Sequence, residues 1–394
     1  MSLGEPKAEV SARATARVAI TRLMLTNFRS YGMLDLRIEP GHVVLVGPNG
    51  AGKTNVLEAL SMLAPGRGLR GVKLSELARA APGEAAGRPW AVSATVASGG
   101  FDTQLGVGYM PGGEDAGVAK RAVRIDGVPV GNPAALAERV RLIWLTPSMD
   151  GLFVEGTSER RRFLDRLISG FDPAHARLWA SYEGAMRERI GALRAHAQTA
   201  WLNALERTMA EAGVALVASR LAGVRQLERV METQRASTFP RADIAVAGSI
   251  EDLLSRMAAV EVEDHFVGQL AASRSNDLDA GRTSVGPHLT DFVVRHREKG
   301  REARACSTGE QKALLIRLTL AGAALPAPGG LETPVLLLDE VAAHLDEGRR
   351  RALFDEIDAL GVQAWMTGTD QSAFSALDGS AQFQRVSEGH IRPV

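Results

Sequence analysis

The sequence is short of cysteine and aromatic residues, and each shortage excludes something. A single Cys306 among 394 residues removes a disulfide framework and any thiolate zinc site assembled within one chain. Aromatic residues make up 5%, which weighs against a single-strand binder built on successive stacking platforms. An excess of one charge is missing as well. Lys+Arg and Asp+Glu stand at 46 each, so no uniformly basic coat is available for nucleic acid, although local patches stay open. No apolar run approaches the ~18 residues of a membrane span, and the N-terminus lacks the apolar core of a signal peptide. The expectation is a soluble, cytoplasmic protein. Its 45% hydrophobic content is ordinary for a globular core, and its length suits two or three domains, or one large domain with an insertion.

What is present divides the chain into four parts. Residues 1–17 are polar and unpatterned, a loose N-terminal extension. Residues 18–158 open with apolar residues at Ile20, Leu23, Leu25 and Phe28, then a dense run at His42–Val46, a Gly-rich turn and a helix from about Lys53. Residues 159–280 change character. Leu178, Tyr182, Ala185, Ile190, Leu193, Ala197, Trp201, Leu205 and Met209 recur at three- and four-residue spacing, which predicts one long helical stripe. A second stripe runs through Val217, Leu221, Val224, Leu227 and Met231, with Gly213 as the break between them. The expected form is a short antiparallel helical arm inserted into an α/β domain, whose remainder is residues 281–394.

Three motifs carry chemistry. Gly47-Pro48-Asn49-Gly50-Ala51-Gly52-Lys53-Thr54, followed by Asn55, fits the phosphate-loop pattern between an apolar strand and a helix. Glycines let successive N–H groups converge on phosphate oxygens, and the helix N-terminus adds the positive end of its dipole. Lys53 is then expected to reach the β/γ-phosphates of ATP, and the Thr54 hydroxyl to ligate Mg²⁺. Val335-Leu336-Leu337-Leu338-Asp339-Glu340 is a buried strand ending in two acids. Asp339 suits the Mg²⁺ shell, and Glu340 is placed to polarise an attacking water. Ser307-Thr308-Gly309-Glu310-Gln311 opens another helix and offers a second anion site. One phosphate loop rarely needs two anion sites in its own pocket, so the economical expectation is that Ser307, Gly309, Glu310 and Gln311 serve a nucleotide held by another copy of the chain.

The order of these motifs resembles the ABC-type ATPases, and the text between them is similar to the RecF family of bacterial recombination mediators. The resembling segments are Leu25-Thr26-Asn27-Phe28-Arg29-Ser30-Tyr31 and the phosphate loop, Glu159-Arg160-Arg161-Arg162-Phe163-Leu164-Asp165, Val285-Gly286-Pro287-His288, His344-Leu345-Asp346 and Thr367-Gly368-Thr369-Asp370. The resemblance implies an α/β, ABC-type P-loop ATPase head with an inserted helical arm. It also implies weak ATP hydrolysis acting as a switch, an ATP-dependent homodimer on DNA (duplex or gap junction), and work beside RecR, RecO and RecA in repair. Several positions depart from the pattern. Pro147-Ser148-Met149-Asp150 matches a Pro-x-Asp-Leu loop only loosely, Leu289 stands where Arg is expected, and Ala343-His344 replaces the more usual Ser-Glu. A switch position that is His in many ABC ATPases falls here on Thr367 or Thr369. Two basic groups are candidates for phosphate contacts with DNA: Arg67 with Arg70, and the run Arg160, Arg161, Arg162. Alternative readings are another soluble ABC-type subunit, which the length of the arm disfavours, and a nucleotide-switched interaction module without hydrolysis.

Overall fold

Strands that bury both faces read as unbroken apolar runs, and four such runs build the central sheet. In the computed structural model, which describes residues 18–80, 88–111, 120–234, 237–326, 333–343 and 345–394, these are β3 (His42–Val46), β8 (Leu142–Leu145), β12 (Val335–Leu338) and β13 (Gln363–Gly368). With β14 (Ala381–Ser387) and β15 (His390–Pro393) they form a six-stranded sheet of order β15-β14-β3-β13-β12-β8. All its pairings are parallel except the terminal β14–β15 hairpin. The N-terminal extension expected over residues 1–17 and His344 of the His344-Leu345-Asp346 segment lie outside the described residues.

A second sheet is antiparallel, and its strands alternate buried with exposed residues as a half-covered sheet must. It comprises β1 (Ala19–Phe28), β2 (Tyr31–Arg37), β4 (Trp90–Ser98), β5 (Phe101–Met110), β6 (Lys120–Ile125) and β7 (Val128–Val130), in the order β2-β1-β4-β5-β6-β7. Helix α1 (Lys53–Ser61), whose residues are mostly buried, packs against strands of both sheets. A small third sheet, β11-β10-β9, joins β9 (Ala242–Ala247), β10 (Asp291–His296) and β11 (Arg301–Glu302). Core residues of all three sheets belong to one continuous apolar cluster.

The helical region is a hairpin with its own small cores. Helix α2 (Thr157–Ser169) contributes Phe163, Leu164, Leu167 and Ile168 to the main core. Helices α3 (Pro173–Arg194) and α4 (Thr199–Thr233) then run antiparallel, and α5 (Ser249–Leu254), α6 (Ala259–Ala272) and α7 (Arg274–Ala280) pack around them. One cluster centres on Tyr182, Met209, Val214 and Phe266, and a smaller one on Leu193, Leu202 and Leu205. The single stripe expected from Leu178 to Met209 is therefore two helices. The chain reverses at His196 (φ 48°). There the Ala197 N–H reaches the Ala192 carbonyl at 3.0 Å and the His196 N–H that of Leu193 at 3.1 Å, the bond pair of a left-handed helix stop in which His takes the place usually held by Gly. Gly213 is not a break either. It lies inside the 35-residue α4, where an added Cβ would stand 3.1 Å from Phe266 and 3.3 Å from Tyr182 and Pro287. Close packing, not a turn, requires it.

The base of the arm is tied by buried charge. Arg220 of α4 is fully buried and donates to both oxygens of Asp165 at 2.8 and 2.9 Å, to the Pro287 carbonyl at 2.7 Å and to Thr290. His175 also contacts Asp165. Burial pushes the Asp165 carboxyl up, but the His175 hydrogen bond and the Arg220 charge outweigh it and hold the group below its ordinary value. Farther out, Arg189 lies between Glu206 and Asp277, all three buried.

Helices α8 (Thr308–Ala324) and α9 (Glu347–Leu360) complete the head. Helix α8 is buried almost all round, as a helix between layers must be. Its Arg317 donates to the Met231 and Gln234 carbonyls at the end of α4, placing a cation where helix carbonyls are left unpaired. Among the described residues, no helix is long and apolar enough to cross a membrane.

Candidate functional site

The phosphate loop leaves the buried end of β3 and enters α1 without a side-chain cap, so no side chain covers the first amides of the helix. Gly52 occupies the helix N-cap at φ 108°. A Cβ there would meet Ser30 Oγ at 2.7 Å and the Tyr31 hydroxyl at 3.0 Å. This glycine is required twice, by backbone angle and by space. The β1–β2 turn presses on the loop from that side: Tyr31 donates to the Gly52 carbonyl at 3.1 Å, and Asn55 Nδ2 donates to Ser30 Oγ at 3.0 Å. At the other end, the Gly47 N–H bonds the Gly368 carbonyl of β13 at 3.3 Å.

Lys53 is only 5% exposed. Its ammonium folds over the loop and donates to the Gly47 and Pro48 carbonyls at 2.7 and 2.9 Å. Burial lowers its pKa, opposed by the charges of Glu340 and Asp339. The sequence motifs 285 residues apart meet here, because β3 and β12 flank β13 in the parallel sheet. Thr54 Oγ1 lies 2.9 and 3.1 Å from the two Asp339 oxygens. Thr367 Oγ1 donates to Asp339 Oδ1 at 2.7 Å and accepts the Glu340 N–H at 2.8 Å. Glu340 itself has φ 48°, a left-handed backbone that a side chain rarely adopts and that clusters at functional sites. The Thr54 hydroxyl and Asp339 carboxylate form a hard-oxygen donor set, the kind that fits Mg²⁺.

The Ser307 segment presents a different face. Ser307, Thr308 and Gly309 are exposed, and a Cβ on Gly309 would meet only Arg349, at 3.8 Å. Glu310 turns back to accept the Ser307 N–H at 2.9 Å and pairs with Lys299. These contacts, Lys299 first, hold its carboxyl well down, at about 2. Gln311 is buried and donates to the Cys306 carbonyl at 2.9 Å. Lys312 lies 3.5 Å from Asp150, tying the Pro147–Asp150 loop to α8. Among the described residues no hydrogen bond joins Ser307 or Gly309 to the phosphate loop of the same chain.

The basic candidates separate. Arg160 makes a two-pronged pair with Asp291 at 2.8 and 3.0 Å, and Arg161 is buried and donates to the Thr290 carbonyl at 3.0 Å. The expectation of a surface run at the arm's base is corrected on this point: two of its three arginines are turned inward. Arg162 projects outward, paired with Glu159. Arg70 and Arg29 converge on the buried Glu58, with Arg70 also reaching Asn55 at 3.2 Å. Arg67 is exposed. Residues that sequence reasoning did not single out include Arg220, which knits the Glu159–Asp165 and Val285–His288 segments together, and Glu58. Their partners are more than ten residues away, so no local spacing announces them.

With this geometry in view, the sequence matches the family described as RecF/RecN/SMC N terminal domain over residues 19–391. A DNA replication and repair protein RecF of Allorhizobium ampelinum is 48% identical over 374 residues, covering 94% of this chain and 98% of its own length. The corresponding protein of Brucella suis is 46% identical over 384 residues, covering 97% and 98%. The chain belongs to the RecF family. Membership carries a role in DNA replication and repair. The solved structure of the recombination mediator protein RecF-ATP in the RecFOR pathway superposes with a TM-score of 0.80 at 22% identity, covering 96% of this chain and 100% of that one. The Smc head domain of Pyrococcus furiosus, bound to the C-terminal domain of ScpA, gives 0.52 at 14% identity, covering 96% of each chain. These likenesses establish the fold of an ABC-type head with an inserted helical arm.

Proposed function

We propose that this RecF-family chain is an ATP-dependent DNA clamp of recombinational repair and replication restart. It binds ATP with Mg²⁺, dimerises on it, and helps place RecA at single-strand gaps together with RecR and RecO. The observation that carries the reading is the meeting of Lys53, Thr54, Asp339 and Glu340 at one end of a parallel sheet. Open amides at the start of α1 would cradle the phosphates, and Lys53 would exchange its two carbonyl partners for phosphate oxygens. Thr54 and Asp339 would hold Mg²⁺, which supplies charge stabilisation for phosphoryl transfer when bound. Glu340, half-buried and bonded to the frame through its own N–H, would orient the attacking water.

The exposed Ser307–Gly309 segment supports the dimer. A helix start that is exposed and makes no hydrogen bond to its own phosphate loop, among the described residues, would be completed by another copy, and a head-to-tail pair would close two such sites at once. Hydrolysis in that arrangement opens the clamp, so turnover acts as a switch. Contacts with DNA fall to exposed arginines such as Arg67 and Arg162, which would bind phosphates without reading sequence.

The test is to measure self-association and duplex or gapped-DNA affinity with ATP, with ADP and without nucleotide. The reading expects a dimer and tight, salt-sensitive DNA binding with ATP alone. A monomer under all three conditions would favour the interaction-module alternative, and ATP turnover indifferent to DNA would favour another soluble ABC-type subunit.

A further inference from the structure

We propose that Thr367 is the positioning residue that sets the register of the two acids, and that its hydroxyl, not its bulk, is what the site requires. The inference rests on the ATP-site reading above. Of the two threonines noted in the sequence, Thr369 is exposed beyond the end of β13, whereas Thr367 is fully buried within it.

The hydroxyl of Thr367 has one proton to give and lone pairs to accept with. It gives the proton to Asp339 Oδ1 at 2.7 Å and accepts the N–H of Glu340 at 2.8 Å. One atom on the central strand of the site therefore touches both acids of the neighbouring strand. Its donation to Oδ1 complements that of Thr54, which approaches the same oxygen at 2.9 Å. Two hydroxyls, one from α1 and one from β13, thus hold the carboxylate. Its acceptance acts on the backbone. Glu340 sits at φ 48°, a conformation that persists only where the surroundings over-determine it. The Thr367 bond supplies one constraint, and the Ala343 N–H on the Glu340 carbonyl at 3.0 Å supplies another. With the N–H pinned, the Cα–Cβ direction of Glu340 is fixed relative to Asp339. Valine would fill the same volume, so a purely packing role would tolerate it. Thr367 acts through the acids and is not itself a catalytic residue.

The experiment compares Thr367→Val, Thr367→Ser and Thr367→Ala in the full chain. Nucleotide affinity is titrated against Mg²⁺ with a fluorescent ATP analogue, alongside steady-state turnover and thermal unfolding. Thr367→Val is expected to bind nucleotide in the absence of Mg²⁺ as the parent does and to need several-fold more Mg²⁺ for its tightest binding. Its kcat should fall on the order of 10–100-fold with KM little changed, as for a misplaced reacting group. Thr367→Ser, which keeps the oxygen, should restore most of both. Thr367→Ala, which loses volume as well, should match Thr367→Val if both fold. An unchanged Mg²⁺ requirement in Thr367→Val overturns the proposal, and so does a Thr367→Ser as impaired as Thr367→Val. Should Thr367→Val not fold, the Ser and Ala variants make the same comparison. Failure of the underlying site reading shows up separately, as nucleotide affinity that survives Lys53→Ala.

Discussion

The head carries two helix N-termini suited to anions, and they are built in opposite ways. At α1 everything needed is supplied locally: the loop is clamped between Tyr31 and β13, Lys53 lies over it, and Thr54 bonds Asp339 from a strand two places away. At α8 the helix body is sunk in the core while its first residues, Ser307 to Gly309, stand open to solvent. Ser307 and Glu310 form a reciprocal capping box there, so Ser307 serves its own helix, and the exposed Gly309 beside it has only Arg349 near the place of a Cβ. The difference is that one end is finished within the chain, while the other stays open to solvent and, on the function proposed above, is a half-site.

The most severe way to break this contrast is at its finished end. Lys53→Ala removes the cation that, on the function proposed above, would face the β/γ-phosphates, and backbone amides alone do not neutralise that charge. Nucleotide affinity measured by titration should drop by about 100-fold or more, at 1.4 kcal/mol per tenfold, while thermal unfolding changes little. Glu340→Gln keeps the shape and removes the carboxylate proposed to orient the attacking water. Turnover should fall on the order of 10²–10⁴-fold with ATP still bound, so the dimer accumulates and is seen by light scattering. A dimer no longer-lived than the parent's would separate Glu340 from the switch. At the half-site, Ser307→Arg should leave monomeric ATP affinity nearly intact yet block ATP-dependent self-association through bulk. Mixing it with Lys53→Ala should restore part of the activity, because both defects fall in the same one of the two sites. Self-association that persists in Ser307→Arg would reduce the segment to an ordinary helix cap.

The smallest effect concerns Glu310. Its carboxyl lies at about 2 in the folded chain against an ordinary 4.5. A depressed carboxylate contributes stability that is fully present above its unfolded value and is lost as pH falls through the folded one. The pair is open to solvent and salt screens it. Lys299→Gln should return the Glu310 titration, followed by NMR, toward the ordinary carboxylate range, with no change near neutral pH in nucleotide affinity. A Glu310 titration unmoved by that substitution would show the Ser307 N–H alone to be sufficient.

The finished end was far more legible in the sequence than the arm. His42–Val46 and Val335–Leu338 announce themselves because strands buried on both faces cannot carry polar residues, and the glycines at 47, 50 and 52 because only they allow the backbone of the loop. What joined these segments was not legible. The order β3-β13-β12-β8 is a long-range fact, and nothing in the sequence sets Thr367 apart from Thr369 until Asp339 is placed beside it. In the arm, an apolar period of three to four is the same in one helix or two, so the reversal at His196 left no trace in the pattern. A left-handed His in place of Gly gave no warning either. Arg160 and Arg161 misled for a related reason: a run of like charges suggests solvent, and only the fold reveals Asp291 and the Thr290 carbonyl waiting for them.

Helix α4 has a mechanical consequence that follows from its length. Its 35 residues make a rod about 52 Å long at 1.5 Å per residue, anchored at one end by Arg317 of α8 and reaching the His196 turn at the other. A stiff rod held at its base magnifies angle into distance. The grip that limits it is Arg220, tied to Asp165 and the Pro287 carbonyl, and from there ~32 Å of helix runs on at that rise, so a tilt of only ~5° would carry the far end through ~3 Å. Gearing of this kind runs in both directions, so a load at the tip arrives at α8 as a small torque with a long arm behind it.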